Sequence, residues 1–215
     1  MTGLARTSNG GVYAIENAPA PKAGESVVYA LSWQSGGDVT VTVYGQMNVT
    51  ERGYSSLKGP GYTAGQNKSR NAAHGGTHYA GKDYGSLFAP TNCGSGVVTS
   101  GGGAIRIAAT GTVTVDGAIR SDSSHAGAWN GGAGGSVWIS CKELVGSGAL
   151  SANGGGSSYG GSGCGGRIAV WQTEAADFSK WMGAISAYGG GGNSLGCGCG
   201  AAGTIYLQSR GETVR

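Results

Sequence analysis

Short alternating runs of apolar and polar residues recur along the second half of the chain, each launched from glycine. They are Gly103-Ala-Ile105-Arg-Ile107, Gly135-Ser-Val137-Trp-Ile139, Gly166-Arg-Ile168-Ala-Val170 and Gly203-Thr-Ile205-Tyr-Leu207. A period of two marks a strand with one buried face. It sets Ile105/Ile107, Val137/Ile139, Ile168/Val170 and Ile205/Leu207 on one side, and Arg106, Trp138, Ala169 and Tyr206 on the other. The runs lie 32, 31 and 37 residues apart. A second phrase, Gly-Ala-(Ile/Leu)-(Arg/Ser)-(Ser/Ala), repeats in step with them at 117–121, 148–152 and 183–187. Two strands per unit at this period, with no helical patterning between them, predict an all-β fold, a right-handed parallel β-solenoid. The glycine-rich excursions at 127–135, 154–166 and 189–203 are expected to stack as polyproline-II-like loops, packed backbone to backbone where no larger residue permits the approach.

The first third is less regular. Residues 27–33 and 38–43 alternate, and Gly45-Gln-Met47-Asn-Val49 reads as a degenerate entry coil. Residues 52–100, rich in Gly, Ser, Asn and Tyr, read as a long ordered loop or insertion, and the two prolines at 19 and 21 break any strand before Val27. The expected organisation is an N-terminal arm or cap, 1–34, followed by a glycine-rich domain, 35–215, carrying the long loop 52–100. In the arm, Val27, Val28, Tyr29, Leu31 and Trp33 form an apolar strand suited to capping an open sheet edge or joining another subunit in assembly. Only residues 173–182 could supply even a short helix, which speaks against a doubly wound α/β fold.

Composition sharpens this picture. Glycine accounts for 47 of 215 residues, and each glycine in a helix interior costs about 1 kcal/mol, so a large helical core is excluded. Collagen is excluded because proline numbers only 4 and no third-residue register runs along the chain. The net charge of +3, with 12% charged residues and scattered basic positions, gives no phosphate-binding surface, so no nucleic-acid partner is expected. The lack of any long apolar run gives no expectation of membrane insertion.

Motifs of cofactor chemistry fail in context. Gly161-Ser-Gly163-Cys-Gly165-Gly166 fits the dinucleotide spacing but leads into a strand rather than a helix. Residues 76–83 approach a P-loop, yet Asp83 replaces the hydroxyl residue. His74 and His78 lack a third ligand, so neither a metal nor a cofactor is expected. The acids form no row: Asp116 aligns with Ser147 and Met182, and Asp122 with Asn153 and Tyr188, so no catalytic residue is assigned and no enzyme is expected. Of five cysteines, Cys164 is expected to pair with Cys197 or Cys199 across neighbouring loops. The outward row Arg106, Trp138 and Tyr206, with Trp129, Tyr159 and Tyr188 in the loops, is the candidate ligand surface, suited to stacking on sugars or to contact with another protein, the alternative being that these rings cover the molecule's own flank.

The phrases His74-Gly-Gly, Tyr84-Gly-Ser86, Gly101-Gly-Gly-Ala-Ile-Arg-Ile107, Thr112-Val-Thr-Val-Asp-Gly117, Gly134-Gly-Ser-Val-Trp-Ile139, Gly146-Ser-Gly-Ala-Leu-Ser-Ala-Asn-Gly154 and Gly165-Gly-Arg-Ile-Ala-Val170 follow one another in an order that resembles the glycine-rich repeat regions of large secreted and surface proteins of bacteria. The resemblance spans about residues 38–207 and brings no catalytic motif. It implies an extracellular or cell-surface location and a noncatalytic structural or adhesive role. The expected partners are therefore further copies of the chain, joined as an oligomer or fibre, or a surface glycan. The alternatives are a carbohydrate-binding module built on the exposed aromatics and, less favoured, a polysaccharide lyase or hydrolase.

Overall fold

The computed structural model describes residues 4–6, 12–14, 30–63, 71–77, 81–127, 129–191 and 198–212. Among them there is no helix, and residues 173–182 run as turns. Antiparallel pairs join β1 (Leu4–Arg6) to β2 (Val12–Ala14) and β6 (Tyr62–Thr63) to β7 (Asn71–Ala72). All other strands are parallel to their neighbours and fall into three sheets.

The five-stranded sheet contains β3 (Ala30–Ser35), β8 (Ala104–Ala109), β11 (Ser136–Cys141), β14 (Arg167–Gln172) and β16 (Thr204–Gln208), side by side in chain order. The three-stranded sheet contains β4 (Val39–Val41), β9 (Thr112–Val115) and β12 (Glu143–Val145). The four-stranded sheet contains β5 (Gln46–Asn48), β10 (Ala118–Arg120), β13 (Ala149–Ser151) and β15 (Ala184–Ser186). A full unit therefore visits the three sheets in turn, then runs through a glycine-rich segment to the next unit.

This corrects the expectation of a right-handed parallel β-solenoid. The strands form three separate sheets, not the closed wall of a solenoid with two strands per unit. The middle strand of a unit is short, and in β12 only Leu144 is fully buried, too little alternation to signal a strand. The described residues of the glycine-rich segments leave the sheets and join no ladder. The boundary expected at 34/35 also falls inside β3, which pairs with β8 along its whole length.

Register builds the core. Leu31, Ile105, Val137, Ile168 and Ile205 occupy one column, and Trp33, Ile107, Ile139, Val170 and Leu207 the next. Met47, Ile119, Leu150 and Ile185 form the facing column of the four-stranded sheet. Apart from the exposed Ile205 and Leu207, these side chains share one apolar core with Val39, Val41, Val113, Val115 and Leu144. Complete burial of each such side chain contributes about 1.5–3 kcal/mol.

Beside the sheets, the glycine-rich segments hydrogen-bond to one another through the main chain. Gly155 N donates to Gly132 O at 2.9 Å, Gly163 N to Gly155 O at 2.9 Å, and Gly190 N to Gly163 O at 2.8 Å. At Gly163 a side chain is impossible without displacement, because a Cβ would lie 1.8 Å from Gly132 O. Polar side chains step between units in the same way. Asp122 Oδ1 accepts Asn153 N at 2.7 Å, and Asn153 Oδ1 accepts Tyr188 N at 2.8 Å, so the acid aligned with Asn153 and Tyr188 supports a stacking bond.

Candidate functional site

The long loop 52–100 is not a single excursion. Gly53, Tyr54, Gly94 and residues 101–102 hydrogen-bond with one another, while residues 83–92 lie over the outer face of the five-stranded sheet. Three side chains on that face hold them: Arg167 Nε donates to Tyr84 O at 2.9 Å, Trp171 Nε1 to Phe88 O at 2.7 Å, and Ser136 Oγ to Asn92 O at 2.6 Å. Arg167 is nearly buried, and its guanidinium also meets Asp83 Oδ2 at 3.4 Å and Thr204 Oγ1 at 3.2 Å.

His74 sits beside this anchor, fully buried, with Nδ1 2.8 Å from Gly134 O. A carbonyl only accepts, so Nδ1 carries the proton and Nε2, which has no hydrogen-bond partner among the described residues, presents a buried lone pair. Burial holds the imidazole at a pKa of about 4, and the nearby Arg167 charge pushes in the same direction. The Tyr84 ring packs on His74 with centroids 4.7 Å apart, and burial raises its phenol pKa. The cluster fastens the loop to the sheet; its histidine is neutral at ordinary pH and enclosed.

The expected ligand residues separate into groups. Arg106 stacks over the Trp138 ring at 4.7 Å, which places the pair against itself. Tyr206 is flanked by Phe88, edge-on at 4.9 Å, and by Trp171 at 5.4 Å. The outward row thus packs largely against its own neighbours and the overlying loop. Trp129 and Tyr159 stand exposed where two successive glycine-rich arms turn back, and Tyr188 is exposed at the base of the third arm. An open groove of about 440 Å³ runs beside the row, floored by Gln34, Ala108 and Ser140, and carries no titratable side chain.

Cys199 is an exposed free thiol, so the expected pairing of Cys164 with Cys199 is not formed, and Cys197 lies outside the described residues. Burial pushes the Cys93 and Cys141 thiols up to about 12, which suits packing rather than nucleophilic chemistry. No cluster of three or more potential metal ligands occurs among the described residues; His78 lies outside them. Of the arm residues expected to serve assembly, Val27, Val28 and Tyr29 also lie outside, while Leu31 and Trp33 head the two core columns in β3.

The feature with functional weight that alternation alone did not single out is the far end of the stack. Ile205 and Leu207 in β16 remain 44% and 39% exposed, whereas Ile168 and Val170, one unit earlier in the same columns, are at 0%. The strands β16 and β15 are sheet edges, and Met182 beside them is exposed. No family model, curated protein or solved structure matches the chain.

Proposed function

We propose that the protein is a noncatalytic structural module, extracellular or on a cell surface, whose stack of sheets is lengthened end to end by a second copy of itself. The observation that carries this reading is the open end: Ile205 and Leu207 present to solvent the residues that every inner unit buries. Unpaired parallel strands beside exposed core residues form a template for further strands. The opposite edge of the same sheets offers β3, β4 and β5 in the same direction and order. Pairing of β16 with β3 of a second copy would continue both columns, Ile205 onto Leu31 and Leu207 onto Trp33. Such a head-to-tail contact is heterologous and builds an open filament. The extracellular setting is supported by the resemblance of the repeat phrases.

Sedimentation velocity over a range of concentrations tests the reading, with Ile205→Asp/Leu207→Asp as the variant. Wild type is expected to form a ladder of end-to-end oligomers, and the double variant to stay monomeric with an unchanged circular dichroism spectrum. A wild type that is monomeric throughout, or a variant that assembles equally well, overturns it.

A further inference from the structure

A second surface lies away from the open end, along the tips of the glycine-rich arms. Val98, Trp129 and Tyr159 are 48%, 43% and 50% exposed and belong to successive tips. Val98 N donates to Asn130 O at 3.1 Å, and Gly161 N donates to Asn130 Oδ1 at 2.6 Å, which ties the three tips together beneath these side chains. The rings of Trp129 and Tyr159 lie 6.1 Å apart, inclined at 50°. Leu57, whose N–H donates to Val97 O at 3.1 Å, extends the exposed line by one more apolar side chain. The result is a ridge of apolar and aromatic groups.

Two features indicate what the ridge takes. The first is preorganisation. Asn130 is buried with a left-handed φ of 37°, and a Cβ on Gly160 would lie 2.6 Å from Asn130 Oδ1. The turn under the rings is therefore fixed by close packing, so holding the rings for a ligand costs little further ordering. The second is charge. No Asp, Glu, Lys or Arg occurs in residues 84–105, 123–141 or 144–166, the stretches that build the three tips. Lys58 stands beyond Leu57 at one end, and Glu51 lies at the arm base, where its carboxylate accepts the Ser124 hydroxyl. An anionic polymer would find no array of cations here. Exposed aromatic faces among hydroxyl and backbone amide groups instead match a ligand that has apolar C–H faces and hydroxyls but no charge.

We propose that the ridge of Val98, Trp129 and Tyr159 is a binding surface for an uncharged saccharide. The site is independent of end-to-end assembly. It also differs from the Arg106, Trp138 and Tyr206 row, whose rings are occupied within the molecule.

The test applies the full chain to an immobilised array of neutral and anionic glycans, with Trp129→Ala, Tyr159→Ala, their double variant, and Tyr44→Ala as an exposed-aromatic control. Wild type and Tyr44→Ala are expected to be retained on at least one uncharged glycan. Each ridge variant should weaken that retention by up to about tenfold, the size of a lost ring contact, and the double variant should weaken it further. Thermal unfolding of the variants should match wild type. Retention on no uncharged glycan overturns the proposal, as does equal retention of the double variant. Binding confined to anionic glycans and removed by salt overturns it too and assigns an electrostatic surface instead.

Discussion

His74 shows how one residue type changes meaning with its surroundings. In sequence it stands four residues from a second histidine, which invites thoughts of metal. In the fold its Nδ1–H is committed to Gly134 O, its Nε2 is enclosed, and Arg167, Tyr84 and Asp83 surround the same junction. Its pKa falls from about 6.5 in the unfolded chain to about 4 in the native state. Above pH 6.5 neither state is protonated there and the group leaves stability unchanged. Between pH 6.5 and 4 the unfolded chain takes up a proton that the folded chain refuses, so stability falls with pH, by up to about 3 kcal/mol. Below pH 4 that contribution levels off. Urea unfolding of wild type and His74→Gln at steps between pH 7 and pH 4 measures the effect: the variant should have a smaller slope over that interval. Parallel slopes would mean that His74 does not stay neutral in the folded protein.

At the scale of elements, one column allows a controlled comparison, because Ile168 and Ile205 are the same residue in the same register one unit apart. Ile168→Ala empties a fully enclosed position and should cost about 2–5 kcal/mol. Ile205→Ala removes a side chain that is nearly half exposed and should cost about 1 kcal/mol or less in the monomer, by the same denaturant measurement. Equal losses would mean that β16 is covered in solution. The long strands of the five-stranded sheet were legible because each carries two large apolar residues at a period of two, and their spacing survives as true register. Met47, in the degenerate entry coil, pairs with Ile119, a register that its sequence alone did not give. Of the three-stranded sheet only the alternation at 38–43 was legible, since Glu143–Val145 offers a single inward residue, and without it a two-strand coil looked sufficient. The pinning of residues 83–92 was hidden for a different reason. Its bonds join Tyr84 to Arg167 and Phe88 to Trp171 across 83 residues each, and no local pattern records contacts of that range. That is also why the sequence left the outward aromatic row open between a ligand surface and a covered flank: the cover of Tyr206 comes from a segment with no periodic signal.

For the molecule as a whole, a stack in which each strand pairs only with its neighbours in adjacent units should lose structure from an open end inward. The middle of the five-stranded sheet is β11, flanked by β8 and β14, while among the described residues β16 has a partner on one side only. The two ends are unlike. Trp33 in β3 is almost buried, whereas Ile205 and Leu207 in β16 are exposed. Amide hydrogen exchange followed by mass spectrometry should therefore show protection highest in β11 and β14 and lowest in β16 when the protein is dilute. Raising the concentration into the range where oligomers form should slow exchange in residues 204–208 and 184–186 and leave β11 unchanged, because a second copy would pair with the free edges and cover the exposed side chains above the core. The glycine-rich tips should keep their dilute-state exchange under the same conditions, since the ridge around Trp129 and Tyr159 takes no part in stacking. Protection that instead rose at the tips would locate self-association on the ridge, and it would contradict both the end-to-end arrangement and the assignment of the ridge to a saccharide.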